Sequence, residues 1–377
     1  TSRLEPRRGV FLGSGGQGRA PRVGFLFPGQ GSPSYLTGGA WMRRFPAVAE
    51  HYHISNLPKT GDAVATAVAQ PAIVTASLAA LSVLSDLGIE ARAAVGHSLG
   101  EIVALAWAGA YGEEAALSIA RARGRAMHEL GSATGAMASL AADPADVARW
   151  LPAGEVSLAG LNSPRQTVVS GEVAAIEKVV ELARERGIEA TRLKVSHAFH
   201  SPLVAAAAPA LARHLEGERI GPVSRKVAST VTGRLIGQDA DLRALLVSQV
   251  TSPVAFMAAV AELDSEIDLW IEVGPGHVLT GLASQFASAP AVALDAGSSS
   301  LTGLALAAGA AFALGVPVAT EALFSGRFLR PFDLDREPRF LVNPCELAPL
   351  PGVSEAHELG LPALEPEAVA AAATPAP

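Results

Sequence analysis

The amino-acid sequence predicts an α/β protein: a parallel sheet covered by helices, with a second, smaller sheet inserted into it. Three observations carry this. Val23-Gly24-Phe25-Leu26-Phe27 is a continuous apolar run, the pattern of a strand buried on both faces of a parallel sheet. Strand-like and helix-like stretches alternate after it, and glycine-containing turns follow the strands, at the edge where an open α/β sheet carries its site. Between 134 and 196 the pattern changes to strand, short helix, two strands, helix, strand.

The elements follow in order. Residues 1–21 are rich in Arg and Gly and lack an apolar core, so they are no signal peptide and read as a linker tail. The first strand ends in the turn Pro28-Gly29-Gln30-Gly31-Ser32. Residues 71–88 read as a helix leading to a second apolar run, Ala91 to Val95. Glu113 to Leu130 reads as a helix carrying Arg121, Arg123 and Arg125. Gly135 to Ala141 then reads as a strand and Pro144 to Trp150 as a short helix. Val156 to Leu161 and Gln166 to Ser170 read as strands joined by the turn Asn162-Ser163-Pro164. Val173 to Gly187 is amphipathic, with Ile176, Val179, Val180 and Ala183 on one face and a closing glycine. Glu189 to Val195 alternates as a strand. This β-α-β-β-α-β order is the split-βαβ, ferredoxin-like pattern. It predicts a small subdomain at 132–200 inserted between 22–131 and 201–325. Beyond it come a helix (Leu203 to Leu215), a hairpin (Val227 to Leu235) and the strand Asp268 to Val273, which ends in Gly274-Pro275-Gly276. A strand at Val292 to Leu294 and a helix at 301–314 complete the series. Residues 326–358 read as an irregular linker and 359–377 as a flexible Ala/Pro/Glu-rich one.

Composition bounds the function. The chain of 377 residues is 49% hydrophobic and 17% charged, which excludes disorder. A net charge of −7 leaves no basic footprint for nucleic acid. The single cysteine, Cys345, excludes an internal disulfide framework and fits a reducing cytosol, so a cytoplasmic location is expected. The nine histidines form no H-x-x-x-H pair and no Cys/His cluster, so no metal site is expected. The one stretch resembling a membrane span, Leu304 to Val318, is rich in Ala and Gly, carries Pro317 and falls short of the ~20 residues a span needs. It reads as a buried helix.

Gly96-His97-Ser98-Leu99-Gly100 has the form G-x-S-x-G of a nucleophile elbow. A strand-to-helix turn this tight needs small residues two before and two after the serine. In return the hydroxyl projects into a cleft, and the Leu99 N–H at the helix start becomes half of an oxyanion hole. In a chain with 37 glycines the pattern alone also fits a Gly-Ser turn capping an ordinary helix. An elbow serine needs a base. The candidate is Ser196-His197-Ala198-Phe199-His200-Ser201, where the inserted segment returns to the main body and two histidines stand three apart.

Taken together the motifs resemble the malonyl-CoA:acyl carrier protein transacylase family, and within it the acyltransferase domains of polyketide synthases. Phe27-Pro28-Gly29-Gln30-Gly31-Ser32 matches the family's opening loop, and Gly96-His97-Ser98-Leu99-Gly100-Glu101 its nucleophile motif. Arg123-Gly124-Arg125-Ala126-Met127 matches the segment with its substrate arginine. Gly135-Ala136-Met137-Ala138, Asn162-Ser163-Pro164 and Val169-Ser170-Gly171 follow in family order. His197-Ala198-Phe199-His200-Ser201 matches the base motif in its malonyl-selecting form, and Glu272-Val273-Gly274-Pro275-Gly276 a late strand end. The resemblance runs from about Val23 to Ser300. Each motif is loose alone; the ordered set is specific. Phe328-Leu329-Arg330-Pro331-Phe332-Asp333-Leu334 with Arg339 to Pro344 further resembles the iterative synthases of enediyne biosynthesis.

The resemblance implies an α/β-hydrolase-like large subdomain and ping-pong malonyl transfer from malonyl-CoA, with no tightly bound cofactor. Ser98 would be the nucleophile and His200 the base. The backbone N–H groups of Gln30 and Leu99 would form the oxyanion hole, and Arg123 would grip the malonyl carboxylate. Residues alone do not choose Arg123 over Arg121 or Arg125. His97, Asn162, His197 and Phe199 would shape the substrate pocket. The Ala255 carbonyl would orient the base, in place of the acid of a Ser-His-Asp triad. Two positions depart from the family pattern: Ala255 stands where relatives often carry a polar side chain, and Pro33 where many carry glutamine. The implied partners are an acyl carrier protein domain and the ketosynthase and other domains of one synthase; neither nucleic acid nor membrane is expected. A hydrolytic proofreading thioesterase and an inactive docking domain are the alternatives. Arg123 speaks against the first, because a simple esterase needs no carboxylate clamp. The presence of both Ser98 and His200 speaks against the second.

Overall fold

In the computed structural model, strand Val23–Phe27 runs through the middle of a six-stranded sheet with all five residues buried. The structure describes residues 3–13, 19–59, 62–132, 134–195 and 197–327. Ala93–Gly96 and Leu269–Glu272 lie parallel on either side of the middle strand. Lys226–Ser229 and Ala291–Ala293 extend the parallel set, and Arg234–Leu235 adds an antiparallel edge through a hairpin. Phe27 pairs with Gly96 and Leu26 with Glu272. The three central strands therefore end together, and the turns after Phe27, Gly96 and Glu272 open at one edge, as expected of an α/β sheet.

The second sheet has the order Val156–Ser163, Gln166–Glu172, Gly135–Leu140, Ala190–Arg192, with all neighbours antiparallel. Helices Pro144–Ala148 and Val173–Glu185 cover it. Their Val147, Ile176, Val179 and Ala183 close a small core over Ala136, Ala138, Leu140 and Val169. This is the ferredoxin-like arrangement expected from the periodicity, with a last strand shorter than Glu189 to Val195. Residues 1–325 cluster as one compact unit.

Several expectations are corrected. Residues 1–21 are not all linker: Arg3–Glu5 and Val10–Leu12 form an antiparallel hairpin around Pro6–Arg8. Phe11 packs over Gly309 of helix Thr302–Leu314, whose small residues leave room for the ring. Leu4, Val10, Phe11 and Leu12 in an Arg/Gly-rich stretch are too few for periodicity to register. The longest apolar helix is also not near Leu304. Among the described residues only Thr66–Asp86 is long and apolar enough to cross a membrane, and most of it is buried within the protein, beside helix Glu113–Leu130. The helix expected at Leu203 to Leu215 starts with a 3-10 turn, Pro202–Val204, and becomes α-helical at Ala207–Glu216. Among the described residues five α-helices, Gly39–Arg44, Pro46–Ile54, Leu242–Ser248, Phe256–Asp264 and Val278–Ala283, and the 3-10 helix Thr320–Phe324 lie outside the expected elements. Residues from 328 onward, with the enediyne-like stretch and Cys345, lie outside the described residues.

Candidate active site

The elbow is built as its glycines require. Strand Ala93–Gly96 passes into helix Gly100–Trp107 through His97, Ser98 and Leu99. A Cβ on Gly96 would lie 2.3 Å from Glu101 N, and one on Gly100 would lie 2.0 Å from Phe27 O. Both obstacles are backbone, so no side chain fits. Ser98 sits at φ +50°, in the left-handed region that non-glycine residues avoid. His200 is held there too, at φ +59°. Such residues cost of order 1–3 kcal/mol each and persist where the surroundings impose them.

The two strained residues meet. Ser98 Oγ lies 2.9 Å from His200 Nε2, and His200 Nδ1 lies 2.8 Å from the Ser252 carbonyl. A carbonyl only accepts, so Nδ1 carries the proton and Nε2 is left to accept from the serine hydroxyl. Burial first, then the Arg123 guanidinium and His97, push the imidazole down to about 3, so the ring is neutral near pH 7. The orienting carbonyl is thus that of Ser252, not Ala255. The Ala255 carbonyl accepts from Ala259 N–H in the first turn of helix Phe256–Asp264. The Val254 carbonyl is also taken, by Leu161 N–H. Ser252 lies before Pro253 and outside that helix, and its carbonyl turns to the histidine.

Of the three arginines on helix Glu113–Leu130, Arg123 alone reaches the site. Its Nη2 donates to Ser98 Oγ at 3.2 Å, and it is 3% exposed. Arg121 turns away to the Ser55 carbonyl, and Arg125 is exposed. Arg123 Nε is buried without a partner, and no ion pair among the described residues includes this guanidinium. Burial lowers its pKa to about 10, which still leaves it charged near pH 7.

A cavity of about 220 Å³ opens onto Ser98, His200 and Arg123. The Gln30 and Phe199 expected there line it. Among the described residues neither the Gln30 nor the Leu99 N–H has a protein acceptor. The Gln30 side chain donates to Thr66 Oγ1 and accepts from Gln70 Nε2, which fixes the loop. His97 and Asn162 also line the cavity and bond to each other at 2.9 Å; Asn162 passes the chain on to Gln166. His197 is corrected: it does not line the cavity. Its ring packs beside His128 at 6.2 Å and Phe199 at 6.0 Å, and so backs the wall that Phe199 forms.

Sequence reasoning missed other wall residues. Gln70 is a lone amide in an apolar helix, a signal that was available. Gln166 and Val168 come from the small sheet, and Leu279 and Leu282 from the short helix Val278–Ala283. That helix explains the late strand motif. The buried Glu272 carboxylate accepts from the N–H groups of Leu279 (3.1 Å) and Thr280 (2.7 Å), and so caps the helix that carries two wall leucines. Burial raises the Glu272 pKa while these donors pull it down. Among the described residues no group of three or more His, Cys, Asp or Glu is placed to hold a metal ion.

An activated serine beside an unpaired buried cation suits acyl transfer from an anionic acyl group, and known proteins match it. Residues 52–301 match the acyl transferase domain family. The chain is 36% identical over 282 residues to the malonyl CoA-acyl carrier protein transacylase of Bacillus subtilis (strain 168), covering 69% of this chain and 89% of that protein. It is 34% identical over 299 residues to polyketide synthase GfsB of Streptomyces halstedii, covering 74% of this chain but only 5% of that synthase. Among solved structures, the acyltransferase domain of an iterative polyketide synthase in enediyne biosynthesis matches at 43% identity and TM-score 0.74, over 86% of this chain and 78% of that one. The malonyl CoA-acyl carrier protein transacylase of Clostridium perfringens matches at 32% identity and TM-score 0.68, over 73% and 93%. The serine elbow, the neutral histidine and the α/β frame around them are therefore those of an acyltransferase, and the chain belongs to the acyl transferase domain family.

Proposed function

We propose that the protein transfers malonyl groups from malonyl-CoA to the phosphopantetheine thiol of an acyl carrier protein, by a ping-pong route through Ser98. The observation that carries the choice of acyl group is Arg123: a buried guanidinium, unpaired, 3.2 Å from the Ser98 oxygen. A charge in that position calls for an anionic ligand, and a malonyl carboxylate can accept two parallel N–H bonds from it. A neutral acyl group would leave it unpaired.

In the first half-reaction His200 Nε2 takes the Ser98 proton as Oγ attacks the thioester carbonyl. The N–H groups of Gln30 and Leu99 hold the tetrahedral oxyanion, each worth on the order of 3 kcal/mol. The C–S bond breaks, the leaving sulfur takes the proton from His200, and malonyl remains as a Ser98 ester. In the second half the carrier thiol gives its proton to His200 and its sulfur attacks the ester. Ser98 leaves and recovers the proton. The Ser252 carbonyl keeps Nδ1 protonated throughout, so no carboxylate is needed behind the histidine. His97, Asn162 and Phe199 shape the pocket around the acyl group. Similarity to an enediyne-type iterative synthase supports placing the carrier and a ketosynthase in the same polypeptide system.

Intact-mass measurement after mixing with malonyl-CoA tests this. The wild type should gain one malonyl group, located at Ser98, and lose it to a carrier protein. Ser98→Ala should gain none. Turnover to free malonate without an adduct would instead mark a hydrolase.

A further inference from the structure

Glu101 is a buried carboxylate whose charge favours protonated Arg123 but whose own hydrogen bonds the mechanism leaves unused. It is fully buried in the first turn of the elbow helix. Burying a carboxylate costs several kcal/mol unless donors compensate, and it gains nothing in packing over an apolar residue. Its Oε2 accepts from Gln249 Nε2 at 3.0 Å and lies 3.1 Å from Thr230 Oγ1. Thr230 Oγ1 in turn lies 3.0 Å from the Gly96 carbonyl, at the end of the elbow strand. The Thr230 carbonyl accepts from Ala255 N–H, just past Pro253.

These contacts join the two halves of the dyad. On one side stand Gly96 and Glu101, which bracket Ser98; Glu101 N–H also donates to the Ser98 carbonyl. On the other stands Gln249, which opens the turn after helix Leu242–Ser248. Ser252 N–H closes that turn on Ser248 O, and the Ser252 carbonyl meets His200 Nδ1. Gln249 itself is 1% exposed, so its amide has no water alternative to Glu101. One path from Ser98 to the carbonyl that orients His200 passes through this carboxylate oxygen and Gln249, and a second runs from the Gly96 carbonyl through Thr230 to Ala255 N–H.

We propose that Glu101 is a positioning residue for the Ser98–His200 pair: through Gln249 and Thr230 it locks the elbow to the turn that presents the Ser252 carbonyl. This rests on the acyl-transfer reading above. A carboxylate suits the task because the bonds its Oε2 accepts from two segments are charge-assisted; an amide oxygen also accepts twice but without the charge, and an apolar side chain accepts nothing. Burial raises the Glu101 pKa, against donors from Ser229, Gln249 and Thr230.

The test uses Glu101→Gln, Gln249→Glu and the double exchange E101Q/Q249E, which restores an acid–amide pair with donor and acceptor swapped. Two rates are read: single-turnover acylation by malonyl-CoA, and labelling of Ser98 by an alkyl fluorophosphonate, which needs an activated serine but no malonyl group. Each single variant should lower both rates by about tenfold to a hundredfold, the scale of a misplaced catalytic group, with KM for malonyl-CoA nearly unchanged. The double exchange should recover most of the loss. A folded Glu101→Gln with wild-type rates, or losses that the exchange leaves in place, would overturn the proposal. If Glu101→Gln does not fold, Gln249→Leu, which leaves the elbow intact, carries the same expectation and is read the same way. Wild-type protein that labels at Ser98 with the fluorophosphonate but not with malonyl-CoA would count against the substrate reading and leave Glu101 to be judged by the labelling rate alone.

Discussion

Arg123 Nη2 stands 3.2 Å from Ser98 Oγ, on the same oxygen that His200 Nε2 meets at 2.9 Å. The guanidinium that would bind the substrate carboxylate therefore also acts on the nucleophile and the base. After burial, its charge is the next cause of the depressed His200 pKa. A bound malonyl carboxylate would offset that charge and raise the His200 pKa, while burial, the larger cause, still holds it down. A neutral acyl group would not offset it.

Arg123→Ala should accordingly separate two substrates. Malonyl transfer loses the charge-assisted pair, which for a buried site is worth about 1.5–3 kcal/mol or more, tenfold to a few hundredfold in kcat/KM. Acetyl transfer should change far less, and should improve relative to malonyl. Steady-state transfer from the two thioesters to one carrier protein measures this. Equal losses would remove Arg123 from carboxylate recognition.

The pH profile carries a second expectation. His200 acts as base only when neutral, and its pKa in the folded free enzyme is pushed down to about 3, below the ordinary histidine value near 6.5. kcat/KM for acylation, which reports the free enzyme, should stay level as pH falls through 6.5 and decline only further down. Stability, by contrast, falls between about 6.5 and about 3. The unfolded chain protonates this histidine below about 6.5 and the folded one does not, so each pH unit below that value removes up to about 1.4 kcal/mol on its account. An acid limb centred near 6.5 would show that His200 is not held as the geometry indicates.

How much of this was legible in the sequence differs by element. The middle strand, the elbow and the β-α-β-β-α-β insert were readable because each has a local period or a residue type with no substitute: Phe25 to Phe27 must be buried, and Gly96 and Gly100 must lack side chains. The Ser252 carbonyl was not readable. A carbonyl has no sequence identity, and only the three-dimensional fact that the Val254 and Ala255 carbonyls are already engaged leaves Ser252 to do the work. The N-terminal hairpin was missed because its stability comes from Phe11 finding a Gly/Ala helix some 300 positions away in sequence. Arg123 was distinguished from Arg121 and Arg125 by resemblance in the sequence and by burial in the structure.

The elbow should tolerate no side chain at Gly100. A methyl group there would lie 2.0 Å from the Phe27 carbonyl oxygen, and neither backbone can give way without moving a central strand. Gly100→Ala should destabilise the protein by about 3 kcal/mol or more, at or beyond the usual range for overpacking. Denaturant unfolding beside Ala104→Gly, a helix-interior control expected to cost about 1 kcal/mol from propensity plus a smaller packing loss, measures it. Wild-type stability in Gly100→Ala would mean that the turn relaxes freely and that the glycine is not dictated by packing.

Acyl size is the last expectation, and it rests on Phe199. The residue is 7% exposed, lines the cavity with Ser98 and His200, and is backed by the His197 ring at 6.0 Å. A phenyl ring so supported has little room to swing away from a 2-methyl branch on the acyl group. Packing discriminates one methyl by only about 1–3 kcal/mol, so malonyl-CoA should be preferred over methylmalonyl-CoA by roughly tenfold to two-hundredfold and not absolutely. Phe199→Ser removes the ring and should narrow that ratio while Ser98 remains the acylated residue. His197→Ala, which leaves the ring but removes its support, should narrow it less. Competition between the two thioesters, read by intact mass on the acyl-enzyme, measures all three proteins in one experiment. An unchanged ratio in Phe199→Ser would move the selectivity to other lining residues, such as Leu279 and Leu282.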